Sequence, residues 1–184
     1  MIFVVVAIIS LPLLWALITF NALIALTNRS KIAFSSIDVQ LKKRHDLIPQ
    51  LVSTVKGYMQ HERAVLERVT ELRDQARAVS DPTKRSGIER DIGGCIGAIQ
   101  MRAEAYPDLK AGENFLMLQR SLNEVEEQIS AARRAYNAAV ENFNNKVQMF
   151  PSSIIAGMMN KSPMEFFEAV ESERAPVPVD LEAS

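Results

Sequence analysis

Residue types that build most metal and redox sites are scarce in this chain. Its 184 residues include one cysteine, Cys95, and two histidines, His45 and His61. A single cysteine excludes an intramolecular disulfide and a cysteine cluster. The histidines stand 16 positions apart, which on one helix is about 24 Å, too far to share a metal ion. No HExxH or His-x-x-Glu motif occurs. We therefore predict no metal, no cofactor and no catalytic residue.

The few reactive side chains are interpreted as structural. Both histidines are expected on polar helix faces or at caps. The run "KKRHD" at residues 42–46 is interpreted as a solvated face, which is the usual environment of a charge run. Cys95 is interpreted as a small buried apolar residue.

Glycine and proline are also few, at 7 and 8, which favours helices. The net charge is only -1. Because so small a charge creates no field that would attract a polyanion, we predict no nucleic-acid partner.

Charged side chains are missing altogether from residues 1–28. This run exceeds the roughly 20 residues that a helix needs to cross a bilayer core. It lacks the basic start and the small-residue cleavage site of a secretory signal peptide. We therefore predict that residues 1–28 are a retained transmembrane anchor.

The helical pattern continues beyond the anchor, with neither glycine nor proline between Leu13 and Ile48. Apolar residues then recur at spacings of three, four or seven, which is typical of a helix with one buried stripe. They are Phe34, Ile37, Leu41, Ile48, Leu51, Val55 and Tyr58, followed by Val65, Val69, Leu72 and Ala76. We expect one long helix from the membrane into a helical body, with any bend at Pro49.

Two breaks divide the remainder of the body. The stretches "VSDPTKRSG" (79–87) and "AYPDLKAGENF" (105–115) carry turn residues and predict connections between helices. The helix between them places Ile88, Ile92, Cys95, Ile99 and Ala103 on one side. Gly93 and Gly97 within it are expected to allow a close helix crossing.

The clearest pattern follows the second break. Large apolar residues recur every seven positions, which predicts left-handed knobs-into-holes packing. They are Phe115, Leu122, Ile129, Tyr136, Phe143 and Phe150, with Leu118, Val125, Ala132 and Ala139 between them. Charged residues on the other faces, among them Glu124 and Arg133, are interpreted as a solvated surface.

The domain organisation follows from these patterns. Residues 1–28 are the anchor and 29–150 the helical bundle. Residues 151–170 form an apolar segment that is expected to pack on the bundle end or on the membrane. Residues 171–184, with their prolines and acidic residues, are predicted to lack fixed structure.

Three blocks, in order, resemble the LemA family. They are "IDVQLKKRHDLIPQLVSTVKGYMQHE" (37–62), "AEAYPDLKAGENFLMLQRSLNEVEEQISAARRAYN" (103–137) and "FNNKVQMFPSSIIAGM" (143–158), followed by "EFF" (165–167). The resemblance implies an all-α fold, in which an N-terminal transmembrane helix is continuous with a long antiparallel helical bundle. The family has no established biochemical activity. Some of its members are tied to the building of intracellular membrane organelles, and others are encoded near membrane metalloproteases. "DIGGCIGAIQM" (91–101) is richer in glycine than the family pattern, and "GMMNKSPM" (157–164) lacks its aromatic residue.

We therefore expect a membrane-anchored scaffold or assembly protein that acts through homo-oligomerisation and membrane organisation. The alternative is an adaptor or regulator of a membrane protease or another membrane protein. An unrecognised enzyme is the third hypothesis, which the lack of converging polar residues disfavours. The expected partners are the lipid bilayer, further copies of the chain and a second membrane protein.

The expected location is the cell (inner) membrane, in a single pass, but the orientation has two interpretations. Basic residues near the anchor, such as Arg29, Lys31 and Lys42, all follow it. The positive-inside rule then places the bundle in the cytoplasm. The resemblance implies an extracytoplasmic bundle, and we adopt that orientation as the hypothesis.

Overall fold

The computed structural model describes residues 2–79 and 82–167, excepting the side chains of residues 2, 4–9, 82 and 83. Throughout this part the regular structure is helical, so the all-α prediction is confirmed. The helices are α1 (Ile2–Val55), a 3₁₀ turn (Gln60–Glu62), α2 (Arg63–Ala78), α3 (Pro82–Ala103), α4 (Pro107–Lys110), α5 (Glu113–Gln148) and α6 (Ser152–Met158). The tail predicted at 171–184 lies outside the described residues.

Helix α1 continues through Pro49 without interruption. A proline inside a helix removes the hydrogen bond to the carbonyl four residues earlier, and here that carbonyl belongs to His45. Arg73 of α2 replaces the missing donor, since its Nε donates to the His45 carbonyl oxygen at 2.9 Å. A side chain from a neighbouring helix thus satisfies the group that Pro49 leaves unpaired.

The end of α1 differs from the prediction. The helix stops at Val55, and the backbone N–H groups of Tyr58 and Met59 both donate to the Val55 carbonyl in the turn that follows. Because the turn rotates the chain, Met59 is fully buried while Tyr58 is 51% exposed. The placement of Tyr58 in the buried stripe was wrong, and Met59 takes that position.

The first connection is shorter than the predicted 79–87. Helix α2 ends at Ala78, and α3 already begins at Pro82. Proline suits the first turn of a helix, where no intrahelical bond to its nitrogen is needed. Gly87 is therefore inside α3, where its weak helix propensity is tolerated.

The chain divides into two compact units, residues 1–34 with 133–184, called unit 1, and residues 35–132, called unit 2. Helices α1 and α5 each contribute to both. In unit 2 five helices enclose one apolar core, made of Ile48, Leu51, Val55, Met59, Leu66, Val69, Leu72, Ala76, Ile92, Ile96, Ile99, Ala103, Leu109, Phe115 and Leu122. Arg102 pairs with Glu62 and so brings the end of α3 to the start of α2, which makes these two helices antiparallel.

The two glycines of α3 differ in their surroundings. A Cβ added to Gly93 would lie 3.7 Å from Nη1 of Arg44 on α1, whereas a Cβ on Gly97 would meet open space. Gly93 therefore faces a side chain of the neighbouring helix, as predicted. The prediction for Gly97 was wrong.

The seven-residue pattern of α5 is confirmed through most of the helix. Phe115, Leu122, Ile129 and Phe143 are buried, and Val140 and Val147 join them. Tyr136 is half-buried. Phe150 is 81% exposed, because α5 ends at Gln148 and the chain turns before the pattern reaches it. Its inclusion in the buried stripe was wrong.

Truncation of the fully buried Leu122 to alanine should lower the free energy of unfolding by about 2–5 kcal/mol, since it leaves a cavity in the core of unit 2. Glu124→Gln, at an exposed position of the same helix, is the matched control and should cost about 0–1 kcal/mol. Urea unfolding of the full chain in detergent micelles, followed by circular dichroism, measures both. Equal losses would contradict the assignment of the buried stripe.

Candidate functional site

Between Ser10 and Ile18, helix α1 exposes apolar side chains on every side. From Ser10 to Ile18 each described side chain except that of Ala16 is exposed. The large ones are Leu11, Leu13, Leu14, Trp15, Leu17 and Ile18. An apolar helix surface of this extent suits hydrocarbon and not water. By length and composition, α1 is the one helix in the described part of the chain that could cross a membrane.

Thr19 is the first described side chain of α1 that is buried. The side chains of Thr19, Leu23, Thr27 and Ser30 are buried, and their spacing of three or four residues places them on one stripe of α1. Thr27 Oγ1 donates to the Leu23 carbonyl at 2.8 Å, and Ser30 Oγ donates to the Leu26 carbonyl at 3.2 Å. Because these hydroxyls are satisfied within α1, the stripe can pack against neighbouring helices at no cost in unpaired polar groups.

A small apolar cluster joins α1, α5 and α6 within unit 1. Leu23, Phe143, Val147 and Ala156 form its buried centre, with Leu26, Ile155, Met159 and Met164 packed against it. Phe34 and Tyr136 meet edge to face at 5.7 Å between ring centroids. In this unit α1 and α5 therefore run antiparallel, since rising residue numbers on α1 meet falling numbers on α5.

The chain beyond α6 is held along α5 by two asparagines. Asn144 Nδ2 donates to the Met164 carbonyl at 2.9 Å, and the Met164 N–H donates to Asn144 Oδ1 at 2.8 Å. Asn137 makes the same pair of bonds with Phe167, at 3.0 and 2.8 Å. Seven helical residues rise about 10.5 Å, and three extended residues span about 10 Å. The two amides are therefore in register with every third residue of an extended segment. We call residues 161–167 the strap.

Two further contacts hold the strap. Tyr136 Oη donates to the Glu165 carbonyl at 3.2 Å, and the guanidinium of Arg133 lies 4.8 Å from the centre of the Phe167 ring. Burial, together with the charge of Glu165, raises the pKa of Tyr136, so its hydroxyl remains a donor at neutral pH. Arg133 was predicted on a solvated face, which was wrong because it packs on Phe167. The sequence did contain a signal for the strap contacts. Asparagine recurs seven residues apart, at positions 137 and 144, each time directly after an aromatic residue of the seven-residue pattern.

Unit 2 contains a buried group of charged side chains, some of which the sequence analysis had interpreted as a solvated face. Arg44 and Glu89 are only 2% and 1% exposed, and Arg44 Nη2 lies 2.5 Å from Glu89 Oε2. Arg44 also donates to the Glu89 carbonyl at 2.9 Å and to Glu126 Oε1 at 2.7 Å. His45 Nε2 lies 2.9 Å from Glu89 Oε1, and neither atom has another hydrogen-bond partner in the described residues. These contacts tie α1 to α3 and α5.

The interpretation of "KKRHD" as a solvated face was therefore wrong for Arg44 and His45, although Lys42, Lys43 and Asp46 are exposed. His61 is exposed in the 3₁₀ turn. Burial raises the pKa of Glu89, but the hydrogen bond from His45 and the charge of Arg44 outweigh it. The net effect holds this pKa below its ordinary value of 4.5. Glu89 is thus ionised and compensates the buried guanidinium.

The remaining candidates for a functional site are a cleft and a single cysteine. A cleft between the end of α1 and α2 is lined by polar and apolar side chains, among them Val52, Lys56, Arg63 and Glu67. Cys95 is half-buried against the core of unit 2, where burial raises the pKa of its thiol. Within residues 2–79 and 82–167 no three His, Cys, Asp or Glu side chains are grouped so that they could hold a metal ion.

Comparison with known proteins shows to which family the chain belongs. The family model described as the LemA family matches residues 33–181. The chain belongs to the LemA family. Protein LemA of Metamycoplasma hominis is 28% identical over 158 residues, which are 85% of this chain and 72% of that protein. Magnetosome proteins MamQ 1 and MamQ 2 of Paramagnetospirillum magneticum are each 20% identical over 187 residues, covering 88% of this chain and 69% of each relative. None of these names denotes an enzyme.

In this LemA-family chain, the replacement Asn144→Ala should release the middle of the strap. It leaves the Met164 N–H and carbonyl without their partners, at a cost of about 1–3 kcal/mol. Hydrogen exchange of the Met164 amide should become about tenfold faster or more, which is the kinetic equivalent of such a loss. Asn142→Ala is the control, because the Asn142 amide bonds only within α5, to Ala138. Unchanged protection of Met164 in the Asn144 variant would contradict the role of the amide.

Replacement of Glu89 by glutamine should lower the free energy of unfolding at neutral pH by about 3–5 kcal/mol, since it leaves Arg44 buried without its compensating charge. A carboxyl group whose pKa is lower in the folded state stabilises the fold above its ordinary pKa of 4.5 and loses that contribution as the pH falls through the lowered value. The difference between wild type and variant should therefore narrow below pH 4.5.

Urea titrations of both proteins over a pH series measure this difference. Glu71→Gln is the matched control, because Glu71 pairs with Arg68 at the surface and such pairs contribute about 0–1 kcal/mol. A gap between wild type and Glu89→Gln that stays constant on acidification would refute the linkage.

Proposed function

We propose that this protein is a single-pass membrane scaffold that associates with further copies of itself and organises the bilayer around them. The observation that carries the proposal is the two-part surface of α1. Its residues from Ser10 to Ile18 present apolar side chains all round, and from Thr19 onward one stripe packs into the helical body. The first part fits a lipid environment, and the second connects the anchor to protein.

The continuity of α1 supports association between copies. The helix has 54 residues, Ile2–Val55, so no flexible linker follows the apolar part. Loss of orientational freedom is part of the free-energy cost of association. A chain without a flexible linker has less of this freedom to lose, so copies in one membrane associate at lower cost.

The family relatives support a role in assembly more than one in catalysis. Both MamQ relatives described above are named magnetosome proteins, which ties those relatives to a cellular structure. We extend this to the present chain as a proposal, in which its partners are lipid and further copies of itself.

Homo-oligomerisation is tested by cysteine scanning of residues 10–18 in a Cys95→Ala background, with the full chain in nanodiscs. Disulfide crosslinking between copies should peak every three or four positions, because a specific contact uses one face of a helix. Light scattering should give a multiple of the mass of one chain.

The control places single cysteines at exposed positions of unit 2, such as Tyr58, which should crosslink weakly. A uniform low yield along residues 10–18, with the mass of one chain in detergents and in nanodiscs, would refute homo-oligomerisation. Recovery only in defined complexes with a second membrane protein would instead favour an adaptor.

We propose that the protein lies in the inner membrane with the helical body outside the cytoplasm, which is the orientation that the family resemblance implies. Protease added to intact spheroplasts should then cleave at exposed sites in the body, such as the turn at Lys56–Tyr58. Lysed spheroplasts are the control for accessibility. Protection in intact spheroplasts with cleavage after lysis would place the body in the cytoplasm, as the positive-inside rule predicts.

A further inference from the structure

Large apolar side chains are exposed between the end of α5 and the end of α6. They are Met149, Phe150, Ile154 and Met158, at 61%, 81%, 55% and 77% exposure. We call these four residues the corner patch. Exposed apolar side chains of this size, grouped in one segment of the chain, are unfavourable in water and are typical of surfaces that contact a partner or a membrane.

Helix α6 has one exposed face, which contributes to this patch, and one buried face. Ser152 and Ala156, four residues apart, are buried, and Ile155 and Met159 pack beside them against the cluster of unit 1. Ile154 and Met158, also four apart, are on the exposed face. The buried side chains fix the rotation of α6 against α1 and α5. The face with Ile154 and Met158 therefore cannot become buried unless this packing is broken.

The buried face also places α6 at a defined level along α1. It shares the cluster of unit 1 with Leu23 and Leu26. Leu23 lies about 6 Å along the helix beyond Thr19, the first described side chain of α1 that is buried, and about 9 Å before Arg29, the first charged residue of the chain. The corner patch is thus at the level between the fully apolar surface of α1 and its first charge. In a membrane this is the boundary between acyl chains and headgroups.

Charge around the patch agrees with this location. Between Asn142 and Met164 the chain has no acidic residue, and its only charged side chains are Lys146 and Lys161. Lysines extend their apolar stems along a surface while their ammonium groups stay hydrated, which suits a position at the level of the lipid headgroups. A surface intended for a water-exposed position would gain solubility from mixed charges, which are missing here.

We propose that the corner patch is a second membrane contact, in which Met149, Phe150, Ile154 and Met158 enter the headgroup boundary of the leaflet from which α1 emerges. The inference rests on the proposed membrane anchor and adds a specific lipid-binding surface to it. Such a contact fixes how unit 1 is rotated in the membrane about the long axis of α1, since the side with the patch has to face the lipid. A short amphipathic segment of this kind binds through its buried apolar area and its basic residues.

Tryptophan fluorescence in nanodiscs with brominated lipids tests this contact, because the chain has a single tryptophan, Trp15. In a Trp15→Phe background, Phe150→Trp moves the reporter to the patch and Tyr58→Trp moves it to an exposed site of unit 2 as the control. Met158→Trp is a second reporter for the patch, should Phe150→Trp fail to fold as judged by circular dichroism. Bromine near the glycerol end of the acyl chains should quench the patch reporter strongly and the Tyr58 reporter hardly at all. Wild-type Trp15 should be quenched best by bromine deeper in the chains.

The outcomes separate the two proposals. Quenched Trp15 with unquenched reporters at positions 150 and 158 would overturn the lipid contact and leave the anchor standing. A blue-shifted but unquenched patch reporter would show that a second copy covers the patch instead of lipid, which also overturns it. Unquenched Trp15 would remove the anchor, and this inference with it.

Discussion

At Thr19 the surface of α1 changes from apolar on all sides to a single buried stripe, and the apolar cluster of unit 1 is built against that stripe. Upstream, the backbone polar groups are satisfied within the helix and the side chains suit hydrocarbon. Downstream, small hydroxyl residues such as Thr27 and Ser30 bond to their own helix and let neighbouring helices approach closely. One helix can therefore serve as both membrane anchor and core element, provided that nothing interrupts its hydrogen bonding.

Pro49 removes one hydrogen bond from α1, and a side chain of another helix replaces it. The unpaired carbonyl of His45 receives its hydrogen bond from Arg73. The adjacent Arg44 forms the buried pair with Glu89. Buried pairs of this kind contribute little net stability, but breaking one is costly. We infer that these polar contacts specify how α1, α2 and α3 meet, while the apolar core supplies most of the free energy of folding.

In unit 1 the amides of Asn137 and Asn144 take the part that a neighbouring strand would take in a sheet, by bonding both the N–H and the carbonyl of the strap. An extended segment without such partners would leave its backbone groups to water. The strap thereby covers one side of α5, and α6 packs on α1 around Leu23 and Leu26. The corner patch is left exposed by this packing.

The sequence by itself determined the helical class, the length of the apolar span and most of the core, because the three-, four- and seven-residue spacings of apolar side chains are local properties of a helix. It also carried the family blocks. The burial of Arg44 and His45, the rescue of Pro49 by Arg73 and the strap on Asn144 were decided only by the tertiary structure. Each depends on a partner that is distant in the chain, and a charged or amide side chain shows the same local pattern whether it faces water or a buried partner. Phe150 fits the apolar pattern but is exposed, because a periodic pattern does not reveal where the helix that carries it will end.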